Sequence, residues 1–314
     1  MWISVRRRKP TAGFWILYGV LLLAWPVSLG YAKRQPAAAP QNQADSPKSA
    51  PATQDELHET DERAFGDYTL RIAHVVNDQG SRGTLDVFRN GQKIYSLSGR
   101  RFAFGHVYSD EPTLDNELIA IGKDITGNGA PNLVVSEWSG GAHCCFVFHV
   151  YELAQSFREV AIIDAGHGDF SHFANLDGGN GLEFVTADWT FANWRASFAQ
   201  SPAPQVILRF KDGAYSLACD LMAKPKPSPE LLQAEARNVR SEPGWSQKEQ
   251  PPALWDTMLR LIYGGNANLV REFLDKAWPL TISGKEDFYQ DFRKTLSRSP
   301  YYKDLVEMNQ GSLN

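Results

Sequence analysis

The residues best suited to chemistry fall in four short stretches of the chain. In Ser139-Gly-Gly-Ala-His-Cys-Cys145 an imidazole stands directly beside two thiols, and His149 follows shortly after. The later stretch Gly166-His-Gly-Asp-Phe-Ser-His172 adds His167, Asp169 and His172. Thiolates and imidazoles are ligands for zinc or copper, and a neighbouring imidazolium lowers a thiol pKa towards that of a nucleophile. His143, Cys144, Cys145, His167 and Asp169 are therefore the residues from which a metal centre or a covalent catalyst could be built. The spacing matches no standard zinc pattern, and no third group that would orient a base is evident. Adjacent cysteines on a strand point to opposite faces. That alternation offers a structural alternative, in which one of Cys144 and Cys145 is a small core residue and the other forms a disulfide with Cys219, as an oxidising compartment permits.

The other two stretches are copies of each other. Asp124-Ile-Thr-Gly-Asn-Gly-Ala-Pro-Asn-Leu-Val-Val-Ser-Glu-Trp138 and Asn175-Leu-Asp-Gly-Gly-Asn-Gly-Leu-Glu-Phe-Val-Thr-Ala-Asp-Trp189 align without a gap at a spacing of 51 residues. Each is a polar, glycine-rich loop that passes into a short apolar strand and ends in an acid and a tryptophan. The spacing is about one supersecondary unit. Oxygen-bearing side chains at alternating loop positions can surround a hard cation. The same Asn and Asp side chains can instead bond their own backbone in a tight turn. Glu137 and Asp188 stand at equivalent strand ends, which repeat symmetry alone would produce.

The motif Asp-x-Thr-Gly-Asn-Gly-x-Pro-Asn-Leu-Val-Val resembles the calcium loop of FG-GAP and VCBS repeats, found in integrin-type propellers and bacterial surface proteins. The likeness covers residues 117–189. It implies a calcium ion held by Asp124, Thr126, Asn128, the carbonyl of Ala130, and Asn132 in the first loop. In the second it implies Asn175, Asp177, the carbonyl of Gly181, and Glu183. The first loop keeps one carboxylate where the family has several, and Gly179 replaces a ligand in the second. Acids supply most of the affinity, so the second loop, with Asp177 and Glu183, is the stronger cation site.

These residues must be positioned by strands. Residues 68–76 and 84–88 alternate in polarity, and Asn90-Gly91 is a hairpin turn of the primed type into 93–97. A second set is expected at 118–121, 133–138, 144–152 and 157–163, and a third at 184–189, 205–210 and 214–217. Three successive sets of three or four strands resemble propeller blades or a sandwich. After the proline-rich 224–229 the period becomes helical. Helices are expected at 229–240, with Ser228 as N-cap and Pro229 at the first turn, at 253–263, from Asn266 as the next cap, at 285–296 and at 301–308. Trp255, Trp278, Tyr301 and Tyr302 would anchor a peptide groove or, more simply, fill the core.

The chain has 314 residues, 43% of them hydrophobic, and a net charge of -4. Arg6, Arg7, Arg8 and Lys9 are the only charges before Lys33. The body is thus acidic, which opposes binding of nucleic acid through its phosphates. The basic cluster, the apolar stretch that follows it, Pro26, and the small residues Gly30 and Ala32 fit an export signal. Residues 12–32 could equally remain as an inner-membrane anchor with the body outside the cytoplasm. Residues 33–64 read as a disordered Pro/Ala-rich linker. Serine-elbow, zincin and phosphate-loop signatures are missing.

The sequence therefore predicts an α+β protein. A signal peptide or anchor (1–32) and the linker precede an antiparallel all-β propeller-like or sandwich domain (65–222), and a small α-helical module (228–314) follows. It predicts an exported, periplasmic or secreted, non-enzymatic binding or interaction protein with a protein partner in the cell envelope. Contact with membrane would be through the N-terminal segment alone. The alternatives are an exported enzyme or metal-binding protein built on the His143 neighbourhood, and a structural domain without a ligand.

Overall fold

A computed structural model describes residues 57–77, 80–105, 119–141, 144–168 and 170–313. All of them belong to one compact unit. The proposed signal or anchor lies outside the described residues, as do residues 33–56 of the linker.

Among the described residues, twelve strands form three antiparallel sheets of four. The first is a meander of β1 (Leu57–Phe65), β2 (Tyr68–Asn77), β3 (Gly80–Arg89) and β4 (Gln92–Gly99). Asn90 and Gly91 both take positive φ, 50° and 80°, as the hairpin turn requires. β1 corrects the expected linker boundary, because residues 57–64 pair with β2 along their whole length. Its charged sequence suits the position: β1 is an edge strand, and charges on an edge discourage further pairing.

The second sheet comprises β5 (Arg101–Phe104), β6 (Asn132–Gly141), β7 (Cys144–Leu153) and β8 (Phe157–Gly166) in that order. Its first strand is β5, not the expected 118–121. Ile119 to Ile121 form a coil and turn, tied back by the Ile119 N–H to the Gly105 carbonyl at 2.9 Å. The third sheet comprises β9 (His172–Ala174), β10 (Glu183–Ala187), β11 (Gln205–Lys211) and β12 (Ala214–Leu217), in the order β12-β11-β10-β9. Each repeat loop therefore leads into the second strand of its sheet.

Six helices follow: α1 (Cys219–Met222), α2 (Pro229–Ser241), α3 (Ala253–Tyr263), α4 (Val270–Ala277), α5 (Lys285–Leu296) and α6 (Tyr302–Met308). Ser228 Oγ accepts from the Leu231 N–H at 3.2 Å, the predicted cap. Asn266 does not cap its helix. A short 3-10 turn precedes α4, and the Asn266 amide donates to the carbonyls of Lys224 and Gly264 instead.

The middle sheet is buried on both faces. Leu133 and Val135 of β6, with Tyr151 and Leu153 of β7, pack on Leu70, Ile72, Leu85 and Val87 of the first sheet. Their neighbours Val134, Phe148 and Val150 point the other way, into a larger core with Phe184, Leu208, Trp255 and Phe292. Two-residue side-chain alternation makes one strand serve two cores. The second and third sheets and the helical module share that larger core, so 222–228 joins two parts of one packed body. Among the described residues, no helix is long and apolar enough to cross a membrane.

Candidate functional site

The two repeat loops meet backbone to backbone. The Leu182 N–H donates to the Ile125 carbonyl at 2.9 Å. A Cβ on Gly127, whose φ is 75°, would lie 2.9 Å from the Gly181 nitrogen, and one on Gly181 would lie 3.2 Å from the Gly127 nitrogen. These two glycines permit the approach.

In the first loop every proposed ligand side chain bonds the loop itself. Asp124 Oδ1 accepts from the Gly127 N–H at 2.7 Å and Oδ2 from the Gly129 N–H at 2.8 Å. Asn132 Oδ1 accepts from the N–H groups of Ile125 and Thr126 at 2.9 and 3.3 Å, and Thr126 Oγ1 lies 3.4 Å from Asp124 Oδ1. Asn128 Oδ1 accepts from the Ala130 N–H at 2.8 Å, while its amide donates to Glu152 at 3.2 Å. Glu152, on β7, also pairs with Arg158 on β8 at 2.8 Å. The Arg158 bond holds the Glu152 carboxyl below its usual range.

The second loop is organised around a cation of its own. Asn175 Oδ1 accepts from the Gly178 N–H, and Asp177 Oδ1 from the Gly179 N–H, both at 2.7 Å. Glu183 Oε2 accepts from the Leu176 N–H at 2.9 Å. The remaining carboxylate oxygens converge on Arg209 of β11: Asp177 at 3.0 Å, Glu183 at 3.1 Å, and Asp220 of α1 at 2.9 Å. Bonding to Asp220 and Glu183 raises the guanidinium pKa still further, and the same contact lowers that of Asp220. Sequence reasoning placed Asp177 and Glu183 together but missed Arg209, Asp220, Glu152 and Arg158. The available signal was an arginine inside an otherwise apolar strand, Gln205-Val-Ile-Leu-Arg209.

The strand-end acids diverge. Glu137 lies 3.5 Å from His149 Nε2, in ion-pair range, and Glu159 of β8 is 3.0 Å from Nδ1. Burial pulls the His149 pKa down, but the two carboxylates outweigh it and the net shift is upward. Asp188 is buried and accepts from Tyr263 of α3, from Ser299 before α6, and from the Thr190 N–H at 2.8 Å. It pins the third sheet to the helices.

The cysteine expectation requires correction. Cys144 is disulfide-bonded to Cys145, and Cys219 is free. With the first two thiols joined, none is left for Cys219. The opposite-face argument does not hold at the first two residues of β7, whose sulfurs meet. Cys219 opens α1 instead of closing a strand, and burial raises its thiol pKa, with Asp304 and Glu307 adding to the shift. His143 and Asp169 lie outside the described residues. His167 packs between the rings of Trp189 and Phe198 at 5.0 and 4.6 Å, and the His172 ring donates to the Phe170 carbonyl at 3.0 Å. Among the described residues, no group of three or more His, Cys, Asp and Glu side chains could hold a metal ion.

Of the residues read as groove anchors or, more simply, as core, Trp255 and Trp278 are core. A different groove exists where the third sheet meets the helices. It has a volume of about 360 Å³, and its walls include Ile207 of β11, Leu221 and Met222 of α1, Leu231 of α2, and Leu261 and Tyr263 of α3. Leu231 is 52% exposed there. Arg260 on the rim is held by Asp256 at 3.2 Å and Glu235 at 3.4 Å. No family model, curated protein or solved structure matches the chain.

Proposed function

We propose that this is an exported, non-enzymatic binding protein of the cell envelope, whose binding site is the groove between β11 and helices α1 to α3. One observation carries the reading. The groove, at about 360 Å³ and walled mainly by aliphatic side chains, has the size and lining of a small-ligand site. The side chains that could do acid–base or ligand chemistry are instead engaged in structural bonds. Asp124 and Asn132 bond loop N–H groups, Asp177 and Glu183 hold Arg209, and Asp188 holds Tyr263 and Ser299. The basic cluster and apolar stretch at the N-terminus support export. Three successive four-stranded meanders, with equivalent loops entering the second and third, support a propeller-like arrangement of the sheets.

Titration of the full chain with the neutral fluorophore N-phenyl-1-naphthylamine tests the site. Saturable binding to one site is expected, weakened about tenfold by Leu231→Glu, which puts a charge against the apolar wall while α2 remains folded. Absence of saturable binding, or binding indifferent to Leu231→Glu, would sink the groove reading. Cell fractionation tests the address, and recovery of the chain in the cytoplasm would overturn export.

A further inference from the structure

Resting on the groove reading, we infer that its ligand is a single-chain fatty carboxylate, with the acyl chain along Ile207, Met222 and Leu261 and the acid at Lys224. The other polar groups on the groove wall are paired, engaged or uncharged: Gln205 is a neutral amide, and Glu235 is paired with Arg260 at 3.4 Å. Arg260 is ion-paired with both Asp256 and Glu235. The Tyr263 hydroxyl is given to Asp188. The Asn266 amide is given to the carbonyls of Lys224 and Gly264, at 3.2 and 3.0 Å. Pro204, Pro225 and Pro227 line the groove and have no N–H to offer.

Lys224 differs from all of these. It lines the groove, is exposed, and its ammonium forms no ion pair or side-chain hydrogen bond with any described residue. Its backbone is fixed by the bond from its N–H to the Gly264 carbonyl at 3.0 Å. The start of its side chain lies against Gly264, where an added Cβ would come within 3.3 Å of it. The stem is thus held at the apolar wall while the charge is left for a ligand, the arrangement long cationic side chains favour. An apolar trough whose one unpaired charge is a cation selects an apolar chain ending in an anion.

Displacement of the naphthylamine probe from the full chain by dodecanoate, dodecanol and dodecyltrimethylammonium separates the possibilities. Dodecanoate is expected to bind about tenfold more tightly than dodecanol, the effect of one hydrogen bond to a charged group, and the cationic analogue more weakly than either. Lys224→Gln should abolish the preference for the acid and leave dodecanol unchanged. Equal displacement by acid and alcohol, or a preference that survives Lys224→Gln, would overturn the carboxylate assignment while the groove stands. If neither the probe nor dodecanol binds, the groove reading falls and this inference with it.

Discussion

The two repeat loops start from nearly the same sequence and are held in different ways. The first closes on itself: one aspartate and two asparagines satisfy its own N–H groups, and its nearest outside acid, Glu152, is answered by Arg158. The second brings together three carboxylates, Asp177, Glu183 and Asp220, and a guanidinium from the neighbouring strand sits among them. The strand-end acids differ likewise. Glu137 lies beside His149 of its own sheet and against Gly99 of the first sheet, whereas Asp188 reaches the helices. A local motif sets the course of the backbone, and the element packed beside it sets what its polar atoms do.

The largest contrast lies between the two acids. Asp188→Ala would leave the Tyr263 and Ser299 hydroxyls buried without their charged acceptor, and should cost about 3–5 kcal/mol in urea denaturation. Glu137→Ala, losing a longer and more exposed contact, should cost about 1 kcal/mol or less. Equal costs would mean that the repeat is functionally symmetric after all.

Arg209 provides the next test. Arg209→Ala strands Glu183, whose side chain is 2% exposed, beside two other acids, and should lower stability by about 2–3 kcal/mol. Millimolar calcium should recover part of this in a melting experiment on the variant, because the cleared carboxylates become oxygen ligands. A variant whose melting temperature ignores calcium would show that the second loop cannot form a cation site.

Between the loops, Gly127→Ala and Gly129→Ala form a matched pair. Both residues have positive φ, 75° and 83°, but only at Gly127 would the new methyl meet the opposite loop. The backbone term alone predicts about 1 kcal/mol for Gly129→Ala, and overpacking should raise Gly127→Ala to about 2–4 kcal/mol. Identical losses would indicate that the loops do not pack tightly together.

The smallest expected effect concerns pH. The folded-state pKa of His149 is raised, so its contribution is fully present below the ordinary imidazole value of 6.5 and is lost as pH rises through the higher folded value. Denaturation midpoints of the wild type should therefore fall modestly across that window. His149→Gln should flatten the change, and a profile of unchanged slope would assign the dependence to other groups.

Much of the framework was legible from local pattern. α3 and α5 begin and end where periodicity and the flanking Gly and Pro residues place them, and Ser228-Pro229 marked the start of α2. β1 was hidden because its charged residues resemble a linker and its pairing partner is what makes it a strand. β5 was displaced to 118–121 because both segments are short and apolar, and only the ladder to β6 distinguishes them.

By itself, the sequence determined the repeat, the glycine turns, the Ser228 cap and the polarity of most strands, because these follow from backbone propensity and near-neighbour bonding. Only the tertiary structure decided that Arg209 answers the second loop, that Asp188 joins sheet to helix, and that Lys224 lines a groove without an ion pair to any described residue. Those outcomes depend on side chains 26 residues apart for Arg209 and Glu183, and 75 and 111 apart for Asp188 with Tyr263 and Ser299. Charges and hydroxyls so distant in the chain become partners through burial in a shared core, where an unanswered polar group is costly.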